Sequence, residues 1–155
     1  INRNNKNFRF LIIRPFNFFG PRQAENFVIP KMINDIKNKK KITIFDNKNI
    51  TRTFTYIDDA INIIRRLILM KKSHNDSYNV GSKYTIKTYE LGNKIIKKFK
   101  KIDNSKRYRI VLNAKIKDPI QERKPKLTRI KYMLKKIKYI NFDKALDQTI
   151  KYFVK

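Results

Sequence analysis

The organisation of this chain is set by residues 8–22, whose sequence is FRFLIIRPFNFFGPR. The run from Phe8 to Ile13 is apolar and partly β-branched, with Arg9 as its one interruption, so it predicts a buried β-strand. Gly20 and Pro21 follow shortly afterwards and end the strand in a turn. We therefore expect the chain to open with a strand that leads into a loop.

Strand and helix patterns alternate through the rest of the chain. Apolar residues at helical spacing predict helices at 28–38, from Asp58 or Asp59 to Ile68, from Thr88 to Phe99, near 128–135 and at 142–153. Short apolar runs predict strands at 42–45, 51–56, 77–80 and 108–112. Asp58 or Asp59 is expected to cap its helix or to stabilise it by charge, and Thr88 to cap the next one. The alternation is typical of the α/β class.

The composition excludes several kinds of site. The 155 residues include no Cys and one His, His74, which argues against disulfide scaffolds, thiolate zinc sites and cysteine nucleophiles. The three glycines, Gly20, Gly81 and Gly92, are too far apart to form a glycine-rich dinucleotide loop or a Walker loop. The apolar runs are too short to span a membrane, so we expect a cytoplasmic protein with no membrane partner.

The charge is the most prominent feature of the composition. Lys and Arg number 39 against 12 Asp and Glu, which gives a formal net charge of +27. Such a balance attracts phosphate backbones. However, Lys (28), Ile (25) and Asn (17) are all encoded by A/T-rich codons and rise together, and Lys outnumbers Arg 28 to 11, whereas base readers rely on Arg. We interpret most of the charge as solvated surface and do not expect a nucleic-acid partner.

Four short motifs occur in a fixed order. They are Arg-Pro-Phe-Asn-Phe-Phe-Gly-Pro-Arg at 14–22, Thr-Arg-Thr-Phe-Thr-Tyr-Ile-Asp-Asp at 51–59, Tyr-Asn-Val-Gly-Ser at 78–82, and Asp118-Pro119 with Arg-Lys-Pro at 123–125. Their combination resembles the C-terminal half of the extended short-chain dehydrogenase/reductase family, the NAD-dependent nucleotide-sugar epimerases, dehydratases and decarboxylases. The resemblance covers essentially the whole chain. It does not separate UDP-glucuronate decarboxylases, UDP-sugar 4-epimerases and dTDP-glucose 4,6-dehydratases.

The resemblance implies an α/β fold that combines the last part of a Rossmann-type sheet with the small α/β substrate-binding domain of an extended short-chain dehydrogenase/reductase. Residues 1–23 would form the end of the Rossmann-half sheet and its following loop, and residues 24–155 the substrate-binding domain. NAD would be bound mainly by an N-terminal half, together with a catalytic Tyr-x-x-x-Lys that should precede Ile1. The implied partners are a nucleotide-sugar substrate, a separate N-terminal half and a second copy in a homodimer.

The resemblance also assigns substrate-binding roles to individual positions. Asn17 would bind the sugar diphosphate, and Asn26 lies near a family position that contacts the diphosphate or the sugar. Thr43 and Phe45 fall where the family packs the pyrimidine base, and an aromatic ring offers a flat apolar face to such a base. No catalytic residue and no metal ligand is assigned to this chain.

Two arginines complete the implied site. Arg52 and Arg123 match the arginines that clamp the diphosphate, and the forked donors of a guanidinium suit that anion. Two positions depart from the family pattern: its Gly-Asp-Gly turn is Asp46-Asn47-Lys48 here, and the acid after Pro125 is Lys126. Lys offers only donors, so an acceptor for hydroxyl groups is lost.

Two hypotheses of different classes follow. In the first, the chain is the substrate-binding portion of an NAD-dependent nucleotide-sugar epimerase, dehydratase or decarboxylase, and its first strand leaves open edges and an apolar face because the neighbouring strands are absent. In the alternative, it is a noncatalytic basic module that binds polyanions or nucleic acid, or a degenerate enzyme fragment. Its contact patches would then be Lys39–Lys41, Lys97–Lys101 with Phe99, and Lys135–Lys138.

Overall fold

The computed structural model describes residues 9–45, 49–113 and 120–154. The described helices are α1 (Val28–Lys39), α2 (Ile57–Leu69), α3 (Thr88–Ile102), α4 (Thr128–Leu134) and α5 (Phe142–Val154). The described strands are β1 (Leu11–Pro15), β2 (Phe18–Phe19), β3 (Lys41–Phe45), β4 (Thr51–Thr53), β5 (Thr55–Tyr56), β6 (Asp76–Val80), β7 (Thr85–Lys87), β8 (Arg109–Asn113) and β9 (Glu122–Arg123). The five helices agree closely with those predicted from apolar spacing. None of the described helices is long and apolar enough to cross a membrane.

Most of the strand pairs are parallel, as the α/β prediction requires. β1 pairs with β6, β2 with β5 and β3 with β8, each in parallel. A fourth sheet has the order β7-β4-β9, in which β4 is antiparallel to β7 and parallel to β9. Parallel partners need crossover connections, and the helices supply them. The mixed α/β fold is therefore confirmed.

β1 corrects the prediction of a buried strand at 8–13. Its pairing with β6 runs from Leu11 to Pro15, and the amide of Phe16 still donates to the carbonyl of Val80 over 3.0 Å. Within the described residues β1 has β6 as its one partner, and Ile12 is 41% exposed. The strand thus lies later than predicted, and it has the open apolar face that the first hypothesis expects.

The strand predicted at 51–56 is divided into two. The break falls at Phe54, whose amide donates to the carbonyl of Tyr84 over 3.2 Å. β4 then belongs with β7 and β9, whereas β5 pairs with β2. One short segment therefore links two sheets, a division that its continuous strand pattern did not show.

The helix starts differ from prediction in their caps. Thr88 is the first residue of α3, where its hydroxyl donates to the carbonyl of Ile50 over 3.4 Å, so the prediction that Thr88 caps this helix is wrong. Asp58 and Asp59 lie in the first turn of α2 without capping it by a side-chain hydrogen bond. Their position at the positive end of the helix is the one that the second predicted role, stabilisation by charge, requires.

The helices bury their apolar stripes in two clusters. The larger cluster joins α1, β3, α3 and α5, and its fully buried members include Ile33, Ile42 and Leu146. The smaller one packs α2 and α4 against β6, with Leu67 at 0% exposed. β1 packs against this smaller cluster through Leu11. The segment predicted as the end of a Rossmann-type sheet is thus held by elements from later in the chain, and a boundary at residue 23 remains a prediction.

Candidate functional site

Asn17 lies in the loop that follows β1 and is bound tightly to β4 and β5. Its side-chain amide donates to the carbonyl of Thr53 over 2.9 Å, and its own carbonyl accepts from the amide of Thr55 over 3.1 Å. Its backbone has a positive φ of 42°, a conformation that Asn tolerates better than most residues. The loop at 14–22 is therefore anchored directly on the segment at 51–59.

Two buried hydroxyls lock three of the sequence motifs together. Thr55 is 0% exposed, and its hydroxyl donates to the carbonyl of Phe16 over 3.0 Å while accepting from the amide of Ser82 over 2.9 Å. The hydroxyl of Ser82 donates to the carbonyl of Phe54 over 2.6 Å and accepts from the amide of Tyr84 over 2.9 Å. Buried polar groups need such partners. Thr55 and Ser82 thus hold the loops that carry the candidate site, a role that their small polar side chains did not reveal in the sequence.

A glycine brings the third and fourth motifs into contact. A Cβ atom at Gly81 would lie 2.8 Å from Cγ of Pro125, closer than van der Waals contact allows. The side-chain amide of Asn79 also donates to the carbonyl of Lys126 over 3.0 Å. The Tyr-Asn-Val-Gly-Ser strand therefore packs directly on the Arg-Lys-Pro segment.

Arg52 and Arg123 lie side by side. They are register partners in the parallel strands β4 and β9, and residues in register present their side chains to the same face of a sheet. Arg52 is 7% exposed, and its Nη1 donates to the carbonyls of Thr51 and Gln121 over 2.8 and 3.2 Å. Arg123 is exposed. Two guanidinium groups on neighbouring strands can offer forked donors to an anion with charge on more than one oxygen.

The other predicted site residues are more dispersed. Asn17 lines a cleft of about 480 Å³ with Phe27 and Arg22, and neither of the paired arginines is among the residues that line it. Asn26 is exposed in the turn before α1, next to Phe27. The structure thus places Asn17 and Asn26 near one cleft and the two arginines on a separate sheet, with Thr53 as the link between Asn17 and β4.

Thr43 and Phe45 belong to β3. Thr43 is half-buried and in register with Val111, and Phe45 is in register with Asn113. β3 and β8 form a separate sheet from β4 and β9. Lys126 is exposed, whereas the positions Asp46-Asn47-Lys48 and Asp118-Pro119 lie outside the described residues.

A second cleft, of about 390 Å³, lies where the segment before α5 meets α2. Asp59 is 7% exposed, and its two carboxylate oxygens accept from the amide of Ile140 over 3.1 and 3.2 Å. Burial raises the pKa of Asp59, the Ile140 hydrogen bond opposes that rise, and the neighbouring charge of Asp58 adds to it. Tyr139 donates to the carbonyl of Gly81 over 2.9 Å. Asp59 and Tyr139 therefore fasten the C-terminal helix to the motif loops.

The sequence matches a known family. The model of the NAD dependent epimerase/dehydratase family matches residues 1–81. A dTDP-D-glucose 4,6-dehydratase of Dictyostelium discoideum is 37% identical over 86 residues, which cover 56% of this chain and 20% of that protein. A GDP-6-deoxy-D-talose 4-dehydrogenase of Aggregatibacter actinomycetemcomitans is 32% identical over 80 residues, which cover 52% of this chain and 27% of that protein. The matched segments span less than a third of these relatives.

The fold also has solved counterparts. The structure of UDP-glucuronic acid 4-epimerase from Bacillus cereus, in complex with UDP-glucuronic acid and NAD, matches with a TM-score of 0.80 at 22% identity. The match covers 93% of this chain and 45% of that chain. The chain therefore spans less than half the length of this counterpart.

Proposed function

Because the chain belongs to the NAD-dependent epimerase/dehydratase family, we propose that it is the substrate-binding portion of a nucleotide-sugar enzyme and that it holds the nucleoside diphosphate. The observation that carries this proposal is the direct register of Arg52 and Arg123 on β4 and β9. A diphosphate supplies several charged oxygens, which match the forked donors of two neighbouring guanidinium groups.

The two arginines would contribute to diphosphate binding in different ways. Arg52 is fixed by the carbonyls of Thr51 and Gln121, so little side-chain freedom is lost when the anion binds. Arg123 lies at the exposed end of the pair and would reach the ligand from solvent. Asn17, tied to β4 through Thr53, would contribute from the neighbouring loop.

Three further residues keep the roles that the resemblance implies. Asn26 would contact the diphosphate or the sugar, and Thr43 and Phe45 would pack against the base. The names of the relatives and of the solved counterpart include three different bases, as dTDP, GDP and UDP, whereas the diphosphate is common to all of them. We therefore assign the diphosphate to the arginine pair and leave the base and the sugar to direct measurement.

NAD is implied by the family, and the glycines of this chain do not fit it. A phosphate-binding glycine needs open space beside its backbone, but a Cβ at Gly20, Gly81 or Gly92 would instead meet Ile57, Pro125 or Ile110. We assign no residue of this chain to NAD and propose that an N-terminal half supplies its site. A homodimer and a cytoplasmic location belong to the same proposal.

Calorimetric titration of the 155-residue chain with UDP and with dTDP tests the diphosphate site. We expect weak binding that falls about tenfold or more in Arg123→Ala, because one charge-assisted clamp is lost. Lys124→Ala is the matched control, since Lys124 is the adjacent exposed cation and should not change the affinity. Absence of heat at millimolar nucleotide, or equal loss in the two variants, would contradict the proposal.

A further inference from the structure

A basic cleft lies beside the larger apolar cluster, against which its lining residue Tyr108 packs, and the proposed function does not use it. Its volume is about 710 Å³. Six basic side chains line it: Lys39, Lys40, Lys100, Lys106, Arg107 and Arg109. They come from the ends of α1 and α3, from the loop after α3 and from the start of β8. Two of the lysine runs noted in the sequence, 39–41 and 97–101, thus meet in space.

The acids near the basic cleft do not balance this charge. Asp35 lies 3.5 Å from Nζ of Lys39, and Asp103 lies 2.5 Å from Nζ of Lys106. Within the described residues, no ion pair with an acid involves Lys100, Arg107 or Arg109. Confined like charges repel one another, so a polyanion bound here would be favoured.

Helix ends explain only part of the cluster. Lysines at the C-terminal ends of α1 and α3 are favoured by the negative end of each helix, and Lys40 also donates to the carbonyl of Lys37 over 2.7 Å. That argument does not reach Arg107 in the loop or Arg109 in β8. The amide of Arg109 donates to the carbonyl of Lys40 over 3.2 Å, so the β3–β8 pairing itself places the arginines beside the lysines.

A tight turn fixes the loop that carries Lys106 and Arg107. The carboxylate of Asp103 accepts from the amide of Ser105 over 3.1 Å and from its hydroxyl over 2.6 Å. The Lys106 ion pair, followed by the hydrogen bonds from Ser105, lowers the pKa of Asp103 to about 2, so Asp103 keeps its charge at any physiological pH. The turn that precedes Arg107 is therefore fixed before a ligand arrives.

The lining indicates the kind of anion. The side chains that line the basic cleft include no aliphatic residue, which a lipid surface would need, and they include the donors Asn104 and Ser105. Its one aromatic residue, Tyr108, packs edge-on against Phe99 with 6.1 Å between ring centroids, so its ring serves the core. Phosphates, and not bases or lipid chains, match such a surface.

We propose that the basic cleft binds the phosphodiester backbone of a nucleic acid without sequence preference. The site is separate from the candidate diphosphate site, because it lies at Lys40 and Arg109, where β3 and β8 begin. Thr43 and Phe45 lie further along β3, and the arginine pair belongs to another sheet. The charge of the whole chain did not specify a partner in the sequence, whereas the fold gathers part of it in one concave place.

Fluorescence anisotropy with a labelled mixed-sequence single strand of about 20 nucleotides tests this proposal. The probe is titrated with the 155-residue chain at about 50 and about 200 mM salt. We expect binding at low salt that weakens steeply at high salt. The variant Lys100→Gln/Arg107→Gln/Arg109→Gln should bind about tenfold or more weakly, with a salt slope reduced by about 2.

The control removes the same charge elsewhere. Lys71→Gln/Lys72→Gln/Lys131→Gln changes three exposed lysines that do not line the basic cleft, and it should bind within about twofold of the unaltered chain. The single variant Arg107→Gln, in an exposed loop, should show a smaller loss if the triple variant misfolds. No binding at low salt, equal loss in both triple variants, displacement by UDP, or a preference for inorganic polyphosphate or anionic vesicles would each overturn the proposal.

Discussion

Position 81 is occupied by glycine, and the ring of Pro125 fills the space that the Cβ of any other residue would need. Gly81→Ala would place that atom 2.8 Å from Cγ of Pro125 and 3.2 Å from Cβ of Phe16. Neither neighbour is the flexible end of a long side chain. We expect a loss of about 1–3 kcal/mol in the free energy of unfolding, measured by urea titration.

Gly92→Ala is the matched control for Gly81→Ala. Gly92 lies within α3, and a Cβ there would lie 3.1 Å from Cδ1 of Ile110, which is the movable end of its side chain. Because Ala favours a helix over Gly by about 1 kcal/mol, this variant should be nearly neutral or slightly more stable. Equal losses in the two variants would show that the contact with Pro125 is not what constrains position 81.

Asp59 makes the stability of the folded chain depend on pH, and the direction of its pKa shift gives the sign of that dependence. Burial raises its pKa in the folded state above the ordinary value of 3.8. The folded state then binds more protons than the unfolded state, so the contribution of Asp59 to stability is present below that ordinary pKa and is lost as the pH rises through the folded pKa. Asp59→Asn removes this dependence and keeps an acceptor for the amide of Ile140.

The expected result is therefore a comparison of two pH profiles. Urea titrations between pH 4 and 7 should show the unaltered chain losing stability relative to Asp59→Asn as the pH rises. A relative gain of the unaltered chain over the same interval would mean that the Ile140 hydrogen bond dominates over burial at this carboxylate.

At the level of elements, the sequence predicts helices better than strands. The buried residues Ile29, Ile33 and Ile36 recur at helical spacing along α1, so the bounds of this helix can be predicted from the local sequence. A strand is defined by its partner, and β1 ends at Pro15 because β6 ends at Val80. The register of Arg52 with Arg123 depends in the same way on β4 meeting β9, which lies far along the chain, so no local pattern encodes it.

Thr55 is the point at which several elements are joined, so its hydroxyl should matter more than its volume. Thr55→Val keeps the shape but leaves the carbonyl of Phe16 and the amide of Ser82 without their partner. We expect a loss of about 1–3 kcal/mol in unfolding free energy, together with weaker UDP binding because the Asn17 loop is released.

Thr51→Val serves as the comparison for Thr55→Val. Thr51 is the half-buried first residue of β4, and its hydroxyl donates an exposed hydrogen bond to the carbonyl of Asn49 over 3.1 Å. Water can replace that bond, so the cost should stay below about 1 kcal/mol. Similar stability in both valine variants would mean that the motif loops are held by packing alone.

The whole molecule combines a family fold with an unusual charge. The chain has 39 Lys and Arg residues. Among those that the structure describes, Arg52 and Arg123 lie in register, six basic side chains line the basic cleft, and other lysines form ion pairs, such as Lys98 with Asp147 over 2.6 Å. Composition alone could not predict these groups, because the number of charged residues does not say where they lie in the folded chain. The family motifs singled out Arg52 and Arg123 in the sequence, and the fold places these two residues in register on β4 and β9.

The remaining charge should make the chain more stable in salt. A formal charge of +27 repels itself in the compact state, and a salt solution screens exposed charges over about 8 Å near physiological ionic strength. Thermal melts in rising sodium chloride should therefore show the midpoint increasing by several degrees, where about 1 kcal/mol corresponds to about 2–4 °C for a domain of this size. A falling midpoint would mean that surface ion pairs such as Lys94 with Asp143, which salt weakens, outweigh the net repulsion.

Sodium phosphate at matched ionic strength should raise the midpoint further, because binding of an anion to the arginine pair or the basic cleft stabilises the folded state by mass action in addition to screening.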